Sequence, residues 1–511
     1  MSIRYIVSLN VNKAPGPDSK SPKVLSIAAS ELAEPITILF RKSLASGSIP
    51  SEWKTAHVTP IFKKGSKSAV NNYRPVSLTC IICKLMEKIV RKHIMDHLVD
   101  NNLISEHQHG FVPGRSCITQ LLEVMDYWTE ALDEGGSVDV VYMDYQKAFD
   151  SVPHRRLILK LESTGIKGNV LKWVTDFLSN RRQRVIINGV SSQKASVTSG
   201  IPQGSVLGPL LFVIYINDLP RGLKTTAKMF ADDTKLYTRS DIENGPDNLQ
   251  SDLNALQLWS ERWLLRFHPQ KCAILKLGKS NENEYVMTQN QPNGDKTTLT
   301  LKEIDSEKDL GVTIDNKLTF KQQIAQATTK ANKIVGLIRR SFNHLTEKMF
   351  VILYKSLVRP LLEYGHCVWQ PMDKQLCREV ENVQRRATKM LSHLKNCTYS
   401  ERLQRLKLPS LEHRRLRGDI IETYKYLHGY YKTEKPNLER SDTNRLRGHS
   451  LKLKKQHSRL NLRANYFSNR VVNTWNSLPE SIATAPSIDT LKRRLDHHWQ
   501  DLPTVYNPTC Q

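Results

Sequence analysis

The chain has 511 residues, enough for roughly three domains and a sizeable core, and 39% of them are hydrophobic. No run of about 18 apolar residues occurs and Met1 to Lys13 lacks the basic start and apolar block of a secretion signal, which excludes a membrane span and predicts an intracellular protein, nuclear or cytoplasmic. Lysine and arginine number 75 against 50 acidic residues, and the excess is lopsided: residues 321–511 hold 35 basic and 16 acidic side chains, net +19, against +6 for residues 1–320, so the back third is built to meet a polyanion such as nucleic acid.

Along the chain, the turn Ala14-Pro15-Gly16-Pro17-Asp18 leads into a helical run through Leu25, Ala28, Leu32, Ile36 and Leu39 that Gly47 and Pro50 end. A short strand, Val58 to Phe62, runs into the basic turn Lys63-Lys64-Gly65, and Asn72-Tyr73-Arg74-Pro75 follows. Lysine and arginine around such a turn suit a triphosphate, although a solvated loop has the same composition. Cys80 and Cys83 fall within the apolar helical pattern of Ile81, Leu85 and Ile89 and read as buried structural thiols. Eight cysteines in this length do not make a disulfide framework, so free thiols are expected. A zinc knuckle of Cys367, Cys377, His393 and Cys397 is the weaker alternative, their spacing being irregular for a closed four-ligand site.

After a helix over 83–100 and the segment Gly110 to Ser116, residues Ile118, Leu121, Leu122, Met125, Trp128 and Leu132 share one face of a helix stopped by Gly135-Gly136, a core face. Val138 to Met143 is a β-branched run, a buried strand that delivers Asp144 to its tip. Ser199 to Pro209 holds three glycines at intervals of four ahead of the apolar helix Leu210 to Ile216; glycines let backbone approach a flat ligand, and Gln203 offers donors and acceptors. Met229 to Ala231 and Lys235 to Tyr237 read as two strands with Asp232 and Asp233 at the turn between them. Bringing Asp144 alongside adds roughly 4 kcal/mol per close carboxylate pair at a surface-like dielectric, so the cluster calls for divalent metal. That points to a metal-dependent nucleotidyl transferase.

Leu249, Leu253, Leu256, Trp259 and Trp263 mark a further helix, leading to His268-Pro269-Gln270-Lys271 and a strand over Cys272 to Leu277. Residues 279–298 are polar, contain the turn pair Asn293-Gly294 and read as a flexible loop; Leu310 to Asp315 reads as another short hairpin. From Phe320 the pattern turns helical and basic, with Ile324, Ala331, Val335 and Ile338 on one side and Lys321, Lys330, Lys333, Arg339 and Arg340 around the rest. Helices are predicted at 346–358, 374–394, 410–428, 465–478 and 487–499, with Arg440 to Arg463 a linker or an RNA-ordered arm.

Taken in order, Lys13 to Asp18, Asn72-Tyr73-Arg74-Pro75, Tyr142-Met143-Asp144, Ala148-Phe149-Asp150, Gly200-Ile201-Pro202-Gln203-Gly204, Phe230-Ala231-Asp232-Asp233 and Leu310-Gly311-Val312 resemble the reverse transcriptases of non-LTR, LINE-type retrotransposons, near the jockey-like branch. The resemblance implies an α+β right-hand polymerase: N-terminal extension and fingers over 1–135, a palm with an antiparallel sheet over 136–318, a helical thumb over 319–400 and a basic helical C-terminal region over 401–511. It implies two Mg²⁺ ions, with Mn²⁺ as a substitute, on Asp144, Asp232 and the backbone of Tyr145, Asp233 completing the acidic cluster. Phe149 would exclude a ribose hydroxyl, Gln203 and Gly204 would border the templating pair, Lys63 (or Lys64 beside it) and Arg74 would grip the triphosphate, and Lys271 would protonate pyrophosphate. Template RNA, a DNA primer or nicked target DNA, and dNTPs are the implied partners, with no membrane and the oligomeric state left open.

Two departures stand out. Val112 replaces a basic residue that many relatives carry after Gly-Phe, and there is no room ahead of the polymerase for the family's endonuclease, so a truncated copy, a fragment or a polymerase using nicks made elsewhere is expected; no RNase H carboxylate set is evident. The alternative from another class is an inactive or domesticated relic that binds RNA. An RNA-dependent RNA polymerase fits less well, because Phe149 and an alanine before the two aspartates are both unlike that group.

Overall fold

A computed structural model describes residues 2–279, 281–290, 295–434, 436–441 and 448–509. Its centre is a five-stranded sheet in the order 302–303, 273–277, 138–143, 233–239, 226–230, antiparallel except for the first pair. The strand Val138–Met143 lies in the middle because its β-branched run is apolar on both faces. Side-chain alternation then sends Val138 and Val140 into one core and Val141 and Met143 into another. The first core joins the helix Cys117–Asp133 to the C-terminal helices; the second holds Gly208–Ile216, His154–Ser163, Gly168–Leu178 and Gly245–Trp263. Helix Gly208–Ile216 is apolar all round and correspondingly buried along its length.

A second sheet lies toward the N-terminus, in the order 73–78, 55–62, 181–187, 190–191, with 195–197 added to 181–187. Its first two strands are antiparallel, Ile61 opposite Arg74 and Phe62 opposite Tyr73, so the basic turn between them projects from one end. The helices predicted from periodicity are present, among them Ala29–Ser46, which ends at Gly47 in the left-handed region, Ile81–Asp100, Cys117–Asp133 and Lys321–Ser341. The mixed α/β architecture and the helical C-terminal region agree with the expected α+β polymerase fold.

Two expectations change, and one weaker alternative is set aside. The polar stretch 279–298 contains a hairpin, Val286–Asn290 against Lys296–Thr300, rather than a loop without structure; its Asn293-Gly294 turn lies outside the described residues. The hairpin forms because Tyr285 and Met287 bury themselves in the second core, 2% and 1% exposed. Gln250 and Gln257 then bond the backbone of Val286 and Thr288 in both directions, standing in for a neighbouring strand. The zinc knuckle does not assemble: His393 pairs with Glu347 at 2.8 Å, and the Cys377 thiol donates to the Pro371 carbonyl at 3.7 Å. The described part of the Arg440 to Arg463 segment is fastened to helix 117–133, where Asp133 accepts from the backbone of Arg459 and Leu460 and Asp126 holds Arg463 at 2.7 Å.

The seven described cysteines are free, and Cys80 and Cys83 are buried as expected. The Cys80 thiol, pushed up to about 12 by burial and by its bond to Asp18, is unreactive as a nucleophile at neutral pH. Among the described residues no helix is long and apolar enough to cross a membrane.

Candidate active site

The cleft between the two sheets has a volume of about 1750 Å³ and brings together residues from most of the sequence motifs. Lys63, Arg74, Asp144, Tyr145, Phe149, Gln203, Gly204, Asp232 and Lys271 all line it; Asp233 and Lys64 do not. Asp144 follows directly on the central strand, whose Met143 pairs with Thr234, so the register brings it beside the Asp232–Asp233 turn on the next strand. Lys271 arrives from a short turn before the strand on the other side and places its Nζ 3.8 Å from Asp144 Oδ2.

The turn itself differs from expectation in one residue. Phe230 pairs with Asp233, so Ala231 and Asp232 alone form the two-residue loop and Asp233 begins the second strand. Ala231 takes a left-handed backbone, φ 54°, which costs an L-residue about 1–2 kcal/mol. Gln108, fully buried, holds it there: its Oε1 accepts from Ala231 N at 3.0 Å and from Gly110 N at 2.7 Å. Alternation along the strand then separates the two carboxylates. Asp232 faces the cleft, and Asp233 shares its face with Lys235, which is ion-paired to the buried Asp309.

Burial governs the electrostatics of the two turn aspartates. Burial raises the Asp232 carboxyl and Asp144 raises it further, while Arg74 and Lys63 pull it back. Burial, then Asp232 and Asp309, hold the Asp233 carboxyl up at about 6. On the Tyr145 backbone, Gln146 N donates to Arg266 O and His268 N to Asp144 O, both at 2.8 Å, so Tyr145 sits in the non-hydrogen-bonded position between them and its carbonyl stays out of the ladder. The Asp144 and Asp232 carboxylates, which share the cleft, and a spare carbonyl form a hard-oxygen donor set of the kind divalent cations take.

Phe149 is half-buried and stacks on Phe212, ring centroids 4.3 Å apart, which fixes its ring against the apolar helix. The loop carrying Gln203 and Gly204 is tied to Phe149 by Ile201 N and to the Ser77 strand through Ser77 N, at 2.7 and 2.6 Å. Gly204, at φ 114°, has no room for a side chain, since a Cβ would stand 2.4 Å from Ser77 O. Beneath the loop Glu87, fully buried, accepts from Val206 N and Leu207 N at 2.6 and 2.9 Å. Gln108 and Glu87 are invisible to motif reading, because a buried glutamine or glutamate has no local signature. Asp150 lies within a motif already singled out, yet only its contact with Gln203 gives it a role.

Among the described residues the one tight group of His, Cys, Asp or Glu ligand atoms lies elsewhere, at His366, Cys367 and Asp419. There Asp419 is already taken by Arg470, at 2.9 and 3.0 Å.

A central sheet with aspartates at adjacent strand ends, a basic turn across the cleft and an aromatic ring in its lining is an arrangement suited to nucleotidyl transfer in a right-hand polymerase fold. Residues 61–314 match the family described as reverse transcriptase (RNA-dependent DNA polymerase), and this part of the chain is a reverse transcriptase domain. Over 421 residues the chain is 28% identical to the RNA-directed DNA polymerase from mobile element jockey of Drosophila melanogaster, covering 80% of this chain and 45% of that protein. It is 28% identical over 420 residues to the probable RNA-directed DNA polymerase from transposon BS, covering 78% and 44%. For the probable enzyme from transposon X-element the figures are 27% over 405 residues, 76% and 43%; both are also from Drosophila melanogaster. The chain thus spans less than half the length of these curated relatives, and its resemblance to non-LTR retrotransposon polymerases extends well beyond the reverse transcriptase domain.

Proposed function

We propose that this chain is an RNA-directed DNA polymerase of a non-LTR retrotransposon, extending a DNA 3′ end, of a primer or of nicked target DNA, on an RNA template with dNTPs. The observation that carries the reading is the shared cleft: Asp144 and Asp232 on neighbouring strands, faced by Lys63 and Arg74 and bordered by Phe149 and Gln203.

Asp144, Asp232 and the Tyr145 carbonyl would hold divalent ions, Mg²⁺ or in its place Mn²⁺, with Asp233 completing the acidic cluster. When bound, such ions lower the pKa of a primer hydroxyl and stabilise a leaving pyrophosphate. The protein's own groups do the rest by positioning. Lys63 and Arg74 set two positive charges on the side of the cleft where a triphosphate enters. Phe149, stacked on Phe212, is the ring suited to stand against the sugar and exclude a 2′-hydroxyl. Lys271, kept beside Asp144, is the group suited to give a proton to the departing phosphate oxygen. The exposed Lys321, Lys330, Lys333, Arg339 and Arg340 on one helix suit a phosphate backbone.

Primer extension on an RNA template by purified protein with Mg²⁺ tests the proposal. Asp232→Asn is expected to lower extension at least 10³-fold while template binding stays within about twofold. Extension by the wild type but equally by Asp232→Asn overturns the site assignment, and a wild type that binds RNA without extending points instead to a relic that only binds.

A further inference from the structure

Next to Phe149 stands Asp150, whose carboxylate, among the described residues, is spent on neither a cation nor the backbone. We propose that Asp150 is a positioning residue that decides which end of the Gln203 carboxamide meets the incoming nucleotide; this rests on the polymerase reading above. Gln203 Nε2 donates to Asp150 Oδ1 at 2.8 Å. An ionised carboxylate only accepts, so the NH₂ end must face Asp150 and the carbonyl Oε1 is left over as an acceptor. No other hydrogen bond engages the Gln203 side chain among the described residues.

Everything around this contact is fixed except the amide itself. Ile201 N bonds Phe149 O at 2.7 Å, Gly200 N bonds Val152 O at 2.9 Å, and Ser77 N bonds Gln203 O at 2.6 Å. Gly200, at φ 82°, lies so close that a Cβ would stand 2.5 Å from Asp150 O. The two backbones therefore cannot drift apart, and the last torsion of Gln203, broad and roughly two-fold, is the remaining freedom. Asp150 removes it.

Position makes the choice matter. Gln203 stands on the wall shared by the main cleft and a smaller cavity of about 310 Å³ that Arg181, Arg182 and Gln183 line. An amide free to turn over presents a donor as readily as an acceptor, and a nucleotide N–H or O–H that meets the NH₂ end gains nothing. With Asp150 in place, the NH₂ end is held toward position 150 and Oε1 points the other way as an acceptor, so the site favours a donor group on the nucleotide beside the ring of Phe149.

The test is steady-state primer extension at saturating template and primer, measuring kcat and KM for dNTP, with thermal melting as a control for folding. Four proteins are compared: wild type, Asp150→Asn, Gln203→Glu, and the double variant Asp150→Asn/Gln203→Glu. Asp150→Asn is expected to raise KM about tenfold with kcat changed less than threefold, because the amide is no longer held in one sense. Gln203→Glu sets two carboxylates face to face and should lose more. In the double variant the amide introduced at position 150 donates to one oxygen of the new carboxylate and the other oxygen takes the place of Oε1, so KM should return to within about threefold of wild type.

A KM for Asp150→Asn within twofold of wild type overturns the inference, as does a double variant no better than Gln203→Glu alone. The swap keeps the test decisive if a single variant is unfolded. Wild type active with all variants unaffected overturns this inference alone, whereas wild type inert on RNA overturns the polymerase reading and this inference together.

Discussion

Asp232 and Asp233 are adjacent in sequence and opposite in surroundings, and the difference has a thermodynamic cost. Burial, and then Asp232, Asp309 and Asp144 against an opposing Lys235, hold the Asp233 carboxyl up at about 6 against an ordinary 3.8. A raised carboxyl costs stability once it ionises in the folded state. In metal-free protein the cost is absent below pH 3.8, grows as pH rises through 6, and is fully present above that. Because part of the Asp233 side chain still meets solvent, which screens it, the penalty is modest, about 1 kcal/mol. Asp233→Asn should therefore melt higher than wild type in EDTA at pH 8, with the gap closing toward pH 4, and millimolar Mg²⁺ should narrow the gap at pH 8 by stabilising wild type. Melting curves over that pH range check it; a gap independent of pH would remove the carboxylate repulsion from the account. The three aspartates were legible as an acidic cluster, but their division between two faces was not, because it depends on a one-residue shift in where the hairpin begins.

At the level of elements, the aspartate turn is held from outside its own hairpin. Met229 N donates to His107 O at 2.9 Å, His109 N donates to Met229 O at 2.8 Å, and Gln108 then clamps Ala231. Gln108→Leu fills the same space and strands two buried N–H groups, at about 1–3 kcal/mol each. The variant should lose roughly 2–6 kcal/mol of stability by denaturant unfolding and at least tenfold in kcat, with RNA affinity nearly unchanged. A variant that is destabilised yet keeps full kcat would show that the strained turn does not need this clamp. Long helices such as Cys117–Asp133 and Lys321–Ser341 were readable from period alone, since each buries one continuous stripe. The hairpin within 279–298 was not, because it depends on the burial of Tyr285 and Met287 in a distant core and on two glutamines of a helix about 30 residues or more away in sequence.

The whole molecule is tied together by its C-terminal region, which shares one core with the palm rather than trailing from it. Trp128, Val140, Tyr237 and Leu275 of the central layer belong to the same cluster as Trp369, Phe467 and Trp475. Arg463, 2% exposed, bridges Asp126 and Thr129 of helix 117–133, and Tyr466 bonds the Leu122 carbonyl of the same helix. Removing one partner from a buried pair leaves an uncompensated charge, so Arg463→Met should cost about 3–5 kcal/mol. Asp126→Asn/Arg463→Met should recover part of that. Chemical denaturation of the three proteins checks the coupling, and equal loss in the single and double variants would refute it.

The sequence by itself determined the class of chemistry and most of the secondary structure, because ordered motifs, apolar period and charge balance are properties of neighbouring residues. It also carried the residues that line the cleft, each within a recognisable local pattern. What only the tertiary structure decided is which side chains act on those residues: Gln108 on the Ala231 turn, Asp150 on Gln203, Arg463 on Asp126. A buried polar group takes its meaning from the one partner that satisfies it, and here that partner is 53 to 337 positions away along the chain.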